Sequence, residues 1–503
     1  MTEPTTIFLS IPDGFAARFL LRSGVLRHLQ DEGHRVVILS PNADEEYFQR
    51  EFSNEQTFIR PLVRGGGRVT GKLRSYFDQV WRTVASHAGN AEDIRQDVER
   101  AKDRGRLVYL YRKLLWKTVA GRAWAVGLLS VLDRLLFQDR YNGHVFEEFA
   151  PDLLVVTSYG FEPGDLYLMR RARRLGVQVL YIVLQWDNPS NRPLMRERPD
   201  KIVAWSETNR QELVDFHRFP ASDIYVAGPP HFDTYAHPER FCSWEEYCQR
   251  TGMDPQRRAI VLCGTTGDVT DGFDDVVQFL AEAVDEGRFA FPCQLLIRPH
   301  PITFSGAFPG QGGQGMKEDL LRYRSFGRHV FCDEPRILSQ ALRFDLDGRD
   351  MKHLAETISH ASVVVNFFST INLDGAAVDT PLVNLAFDGY KERDYYHSAR
   401  RVADIWNNVL VLDTGGVRVA KTFPQLVDHI NAYLRDPSLD AAGRREIVRR
   451  LVHRVDGEAA NRVAQAISLY AQGRWILDEE PQAPSSPDQP AALFRRLRTV
   501  EQL

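Results

Sequence analysis

The chain has 503 residues, more than one hydrophobic core supports, and a prior of roughly 100–200 residues per domain predicts two or three domains. Hydrophobic residues at 43%, charged residues at 26% and aromatic residues at 11% exclude a disordered or fibrous chain. A formal net charge of −4 lacks the basic footprint of a polynucleotide binder, so no nucleic-acid partner is expected.

Residues 1–6 lack the basic start and apolar run of a signal peptide, and a strand begins at once over Ile7–Ile11, which predicts a cytoplasmic protein. A polar turn at Pro12, Asp13 and Gly14 leads into a helix with apolar positions Phe15, Phe19, Leu26 and Leu29, ending at Gly33. Arg35–Ser40 is a second apolar strand, so a βαβ unit closes within about 40 residues and a parallel sheet begins. The turn after the first strand reads IPDGFAARF and lacks G-x-G-x-x-G, which argues against a dinucleotide cofactor there.

A glycine-rich turn at 64–68 is followed by a helical insertion over 72–140, amphipathic with Lys and Arg on its polar side. Two readings stand for it: a helical layer packed on the domain, or a surface that docks on the inner leaflet of the cytoplasmic membrane or on a membrane partner. Its most apolar stretch, Ala123–Leu132, falls short of the ~20 residues of a membrane span, so no transmembrane helix is expected.

Strand-and-helix alternation resumes with Asp152–Thr157, a helix over Leu166–Leu175, and strands at Val177–Leu184, Lys201–Trp205 and Asp223–Gly228. After a break near Pro229–Arg257, a second series runs through Ala259–Cys263, Gln294–Ile297, His329–Phe331, Ser362–Val365 and Pro381–Leu385. The fold class is therefore α/β, with two Rossmann-like doubly wound domains facing across a cleft. The expected bounds are an acceptor domain at 1–235, a nucleotide-donor domain at 236–440 and C-terminal helices at 441–475. A disordered linker and tail at 476–503 follow, on the Pro, Ser and acidic content of 479–490. The five cysteines, Cys242, Cys248, Cys263, Cys293 and Cys332, are scattered without C-x-x-C or ligand-spaced histidines; reduced thiols and no metal site are expected.

Chemistry in such a fold gathers where strands end. The strand ending at Asn366 runs into Ser369, Thr370 and a helix start, where hydroxyls and backbone N–H groups suit a diphosphate. Asp374, one turn on, is placed to accept a hydrogen bond from a ribose or sugar hydroxyl; the competing reading makes Ser369 or Thr370 a simple helix cap. A second strand runs into Arg298-Pro-His300-Pro301, a cation and a histidine for phosphate oxygens, with His300 neutralising or protonating the leaving group. A solitary histidine in a turn is otherwise structural. Gly264 and Thr265 supply small residues at a third strand end, for a plain turn or a close approach to a ligand. On the acceptor side stand Trp186, Asp187 and Asn188 after one strand, and His231 and Asp233 after another. Asp13 is the candidate general base, with a turn or capping role as its alternative.

Together these segments resemble the bacterial GT-B glycosyltransferases near the CDP-glycerol glycerophosphotransferase-like group that builds surface polymers. The stretches that carry the resemblance are 186–233, the RPHP at 298–301, 363–383 and 415–467. The resemblance implies a nucleotide-sugar or CDP-glycerol-type donor in the C-terminal domain and a glycan or lipid-linked acceptor entering from the N-terminal one. It implies inverting displacement with no bound cofactor or metal, in surface-polysaccharide synthesis. The chain departs from the group at Asn366-Phe-Phe-Ser369, where an acidic-aromatic-serine start is frequent, and at Asp374-Gly375, where glycosyltransferases often carry Glu-Ala. The alternatives are a nucleotide-sugar 2-epimerase of the same fold and a non-catalytic scaffold in envelope assembly.

Overall fold

Runs of three to six residues that are apolar on both faces make strands covered by helices on both sides, and they assemble here into two parallel sheets. The computed structural model describes residues 5–63, 65, 68–137, 141–158, 163–265, 269–301, 313–339, 342 and 345–479. The first sheet contains β1 (Thr6–Ser10), β2 (Arg35–Ser40), β3 (Thr57–Pro61), β4 (Leu153–Val156), β5 (Gln178–Ile182), β6 (Lys201–Ala204) and β7 (Ile224–Val226). Its order is β3-β2-β1-β4-β5-β6-β7. The second sheet uses β8 (Arg258–Cys263), β9 (Cys293–Arg298) and β10 (Val330–Cys332). A small antiparallel pair, β11 (Ile337–Ser339) and β12 (Asp345–Leu346), stands apart, and β13 (Val363–Asn366), β14 (Leu382–Leu385) and β15 (Arg418–Ala420) complete the second sheet in the order β10-β9-β8-β13-β14-β15.

In each sheet the order reverses once, between β1 and β4 and between β8 and β13. Helices leave these neighbouring strands toward opposite faces, and a crevice opens at their carboxyl ends. The expected doubly wound architecture is therefore present. The strands of the two parallel sheets absent from the sequence reading, β3 and β15, are edges that bury one side only or are very short, and the small pair β11 and β12, also absent from it, has only three and two residues, so none carries a continuous apolar run.

The first helix departs from expectation. Instead of one segment from Phe15 to Glu32, a turn at Gly14–Ala16 passes into a π-helical turn at Ala17–Leu21, and a new helix starts at Val25. Gly24 makes the break in the left-handed region at φ 103°, and a Cβ there would stand 3.6 Å from Ala460 of the C-terminal helix. Gly33 ends the segment as expected, with positive φ.

Helices at Arg68–Val84, Ala91–Arg100, Arg106–Val119 and Ala123–Leu136 form the insertion. Its inner side is a packed layer, with Phe77, Trp81 and Phe137 against Tyr167 of the domain. Beside this cluster Asp133 accepts hydrogen bonds from Arg74 and Arg170, each at 2.7 Å. The C-terminal helix Ala459–Ala471 crosses back onto the first domain, burying Val463 and Ile467 and pairing Ser468 with His34 at 2.7 Å. The stretch from 476, expected to be linker, begins with a helical turn at Ile476–Glu479 that buries Ile476; the rest of the expected linker and tail lies outside the described residues. The five cysteines form no disulfide, and burial raises the thiol of Cys263 to about 12. Among the described residues no helix is long and apolar enough to cross a membrane, and no cluster of His, Cys, Asp and Glu is arranged to hold a metal ion.

Candidate functional site

The two crevices face each other and merge into a cavity of about 630 Å³. From the first domain, Asp13 lines it beyond β1 and Thr157 and Ser158 beyond β4; from the second, Gly264 and Thr265 line it beyond β8 and Ser369 and Thr370 beyond β13. Residues from both switch points thus converge. The walls touch where the indole N–H of Trp186 donates to the Thr370 hydroxyl at 3.3 Å, and Asp187 and Asn188 line the cavity beside it.

Several expected roles narrow. Ser369 Oγ accepts from the Ile371 amide at 3.2 Å in a turn just ahead of a seven-residue helix, whose N-cap Thr370 makes no side-chain capping bond. Phe368, just before it, adopts φ 53°, a left-handed conformation unusual for an aromatic residue and of the kind tolerated where function demands it. Asp374 is buried and accepts from the Tyr235 hydroxyl at 2.6 Å, and burial raises its carboxyl above the usual range. Asp13 lines the cavity while its carboxylate caps Ala16 N–H at 2.9 Å. His231 forms cavity wall among Phe19, Trp205 and Phe232, and burial pushes its imidazole well below the ordinary value, so the ring is neutral.

Arg298 and Asp233 have partners that the motifs do not reveal. Arg298 lines the cavity at the end of β9, where it is buried and donates to Asp350 at 2.8 Å and also to Asp333, so carboxylates already match its charge. It holds the RPHP turn in place, and with it His300 at the cavity wall. Gly264 lets β8 approach that turn, since an added Cβ would stand 2.9 Å from the His300 amide. Asp233 does not face the cleft; its carboxylate accepts from Ala459 and Ala460 N–H at 3.0 and 2.8 Å and caps the C-terminal helix. Two residues after a cleft-lining histidine, the chain has turned away.

Arg18 was missed in the sequence. The π-helical turn presents this half-buried cation to the cavity, its Nε is buried without a hydrogen-bond partner among the described residues, and its charge is felt at Asp374 and Tyr235 across the cleft. Within an amphipathic helical pattern a lone arginine reads as solvent-facing; only the wide turn aims it inward.

Glu212 was missed as well. Buried behind Asp187, it accepts from the Trp406 indole of the second domain at 2.9 Å and from Asn209 at 3.1 Å. Burial raises its carboxyl to about 8 from the usual 4.5. A carboxyl with a raised folded-state pKa contributes stability that is present in full below the unfolded value and lost as pH rises through the folded one. Glu212→Gln should therefore gain on the parent in melting temperature between pH 5.5 and 8.5. Thermal unfolding at the two pH values checks this; a difference that stays constant means the carboxyl is already ionised at neutral pH.

No family model matches the sequence, and no curated protein matches it. Solved structures match its fold. UDP-GlcNAc 2-epimerase from Neisseria meningitidis, bound to UDP-GlcNAc, aligns at 11% identity and a TM-score of 0.51 over 92% of this chain and 98% of that one. A putative UDP-N-acetylglucosamine 2-epimerase from Listeria monocytogenes gives 11% and 0.53 over 96% and 99%. MnaA of S. aureus, in a co-structure with UDP, gives 10% and 0.51 over 96% and 100%.

The chain has the GT-B fold. At 10–11% identity the likeness establishes that architecture and leaves the chemistry to the site. In GT-B terms the cavity is the interdomain cleft, and its two walls are the carboxyl edges of the two sheets.

Proposed function

We propose that this protein is a transferase that binds a nucleotide-activated donor, of sugar or glycerol-phosphate type, in the interdomain cleft and passes its group to a hydroxyl acceptor. The observation that carries the reading is the meeting of both switch points in one cavity of about 630 Å³, within the size range of small-molecule sites. Arg18, His300 and the Thr370 hydroxyl supply the polar groups for a diphosphate. The acceptor hydroxyl enters along Trp186 and Asn188. A carboxylate, Asp187 or Asp13, takes its proton; burial raises the carboxyl of Asp187, which brings it closer to the pH where a general base works best. The acceptor oxygen attacks the donor carbon or phosphorus as the bond to the departing phosphate breaks, and the cationic and hydroxyl groups take up the developing charge. Cys263 lines the cavity but, with its thiol held protonated at neutral pH, is no nucleophile. The wider role in surface-polysaccharide synthesis belongs to the same proposal and rests on the resemblance of the sequence segments.

The second reading, a nucleotide-sugar 2-epimerase, draws on the fold likeness. Epimerisation needs an acid and a base on opposite faces of one sugar, and two of the cleft carboxylates are engaged, Asp350 by Arg298 and Asp374 by Tyr235. Calorimetric titration with UDP, CDP, GDP and dTDP, on the parent and on His300→Ala, tests the donor site. Selective binding of one nucleotide, weakened in the variant, is expected; no binding of any would sink the reading. Proton NMR of UDP-GlcNAc incubated with the protein separates the two activities, because a 2-epimerase generates the manno epimer without an acceptor.

A further inference from the structure

Helices Arg106–Val119 and Ala123–Leu136 present apolar side chains outward as well as inward. Of the nineteen exposed large hydrophobic residues among those described, thirteen lie between Leu73 and Leu136. They fall into helical stripes, Leu107, Leu110 and Leu114 on one helix and Trp124, Leu128, Val131 and Leu135 on the next, at i, i+3/i+4, i+7 spacing. Leu107 is 83% exposed, Leu135 67%, Trp124 65% and Leu114 64%, whereas soluble surfaces scatter such residues singly. The inner face is already occupied: Ala125 and Asp133 are buried there, and Val126 and Leu129 pack on the Trp81 cluster. The outward stripes are thus a surplus beyond what folding uses.

Charge on the same segment is one-sided. Residues 104–136 contain seven Lys or Arg and a single acidic residue, Asp133, in a chain whose net charge is −4. Asp133 is buried against Arg74 and Arg170, and Arg112, Lys113 and Arg134 pair with Asp97, Glu99 and Glu197 from neighbouring segments. Arg106, Lys117 and Arg122 are exposed and have no carboxylate partner among the described residues. Each helix has fourteen residues, too few to cross a bilayer but enough to lie in its interface. A second copy of the chain on this face would set two cationic strips against each other; an anionic lipid surface complements both the leucines and the charge. Arg104 borders the groove beside Leu107 and Tyr111 and also a wider groove with Arg100 and Val269, and Val269 lines the interdomain cleft. The apolar face therefore connects to the cleft by a surface path.

We infer that the 106–136 helical pair is a docking surface by which the protein lies on an anionic phospholipid bilayer. The inference is independent of which donor the cleft binds. Its test is flotation of the full chain with vesicles of phosphatidylcholine, alone or with about 30% phosphatidylglycerol. The parent should float with the anionic vesicles, and high salt should weaken the association. The L114E/L128E/L135E variant and the K117E/R122E variant should each lower the bound fraction by roughly tenfold or more. Because these positions are exposed, unfolding temperature should match the parent, and nucleotide binding should be unchanged. A parent that stays with the free protein on both vesicle types overturns the inference, as does equal flotation with neutral vesicles. So does a lipid-free dimer in sedimentation analysis that the leucine substitutions dissociate, which would make the face a self-association interface.

Discussion

Arg18→Ala should weaken binding of the best-bound nucleoside diphosphate by about 10- to 100-fold, the loss of one charge-assisted hydrogen bond of roughly 1.5–3 kcal/mol. The expectation follows from position. Arg18 is a cation on the first domain's wall whose charge reaches Asp374 on the opposite wall, while Arg298, the cation suggested by motif, is already held by two carboxylates. Arg18→Lys should recover part of the affinity, since a point charge keeps the Coulomb attraction and loses the planar fork. Calorimetric titration of the three proteins decides the matter. If the alanine variant binds as tightly as the parent, Arg18 is a bystander and the phosphate contacts lie on the second domain alone.

The largest effect on stability is expected at Asp133. This carboxylate receives Arg74 and Arg170 at 2.7 Å each, and Arg170 also bonds Glu197 at 2.9 Å, so one buried network fastens the insertion to the first domain. Removing Asp133 takes one of two carboxylates from each of two buried cations, leaving Arg74 with Asp78 and Arg170 with Glu197, and Asp133→Ala should cost about 3 kcal/mol. The midpoint of urea unfolding reads this directly. Replacing Arg74, Asp133 and Arg170 together with apolar residues of similar volume should restore most of the loss, because the desolvation penalty of all three charges disappears with them. A single variant with an unchanged midpoint would mean that water already reaches the network.

Much of the site was visible in the linear sequence, and the reason is specific to parallel α/β folds. An apolar run such as Val363–Asn366 or Gln294–Ile297 marks a central strand, and the polar residues just beyond it must lie on the edge where ligands bind. His300, Thr370, Trp186 and Asp187 were identified in this way, and all line the cleft. The same logic failed for Asp233, which follows a strand end but caps a helix more than two hundred residues later in the chain. It put Arg298 at the cleft but could not reveal the partners that neutralise it, Asp333 and Asp350, 35 and 52 residues distant. Arg18 was invisible because a π-helical turn leaves no signature in hydrophobic periodicity. The edge strands β3 and β15 were missed because half-exposed, short strands lack the apolar run that identifies their central neighbours.

What the sequence by itself determined was the class of architecture: alternating apolar strands and helices, two such series, an insertion of helices and a set of strand-end polar residues. These are local properties, set by the repeat of the backbone and the need of each segment to bury one face. Only the tertiary structure decided which polar groups meet, that Trp186 and Thr370 bridge the cleft, that Glu212 is buried beneath the Trp406 indole, and that two helices keep their leucines outside. Those outcomes depend on distances between residues far apart in the chain, where the strength of every charge and hydrogen bond is set by its partner and its exclusion from water.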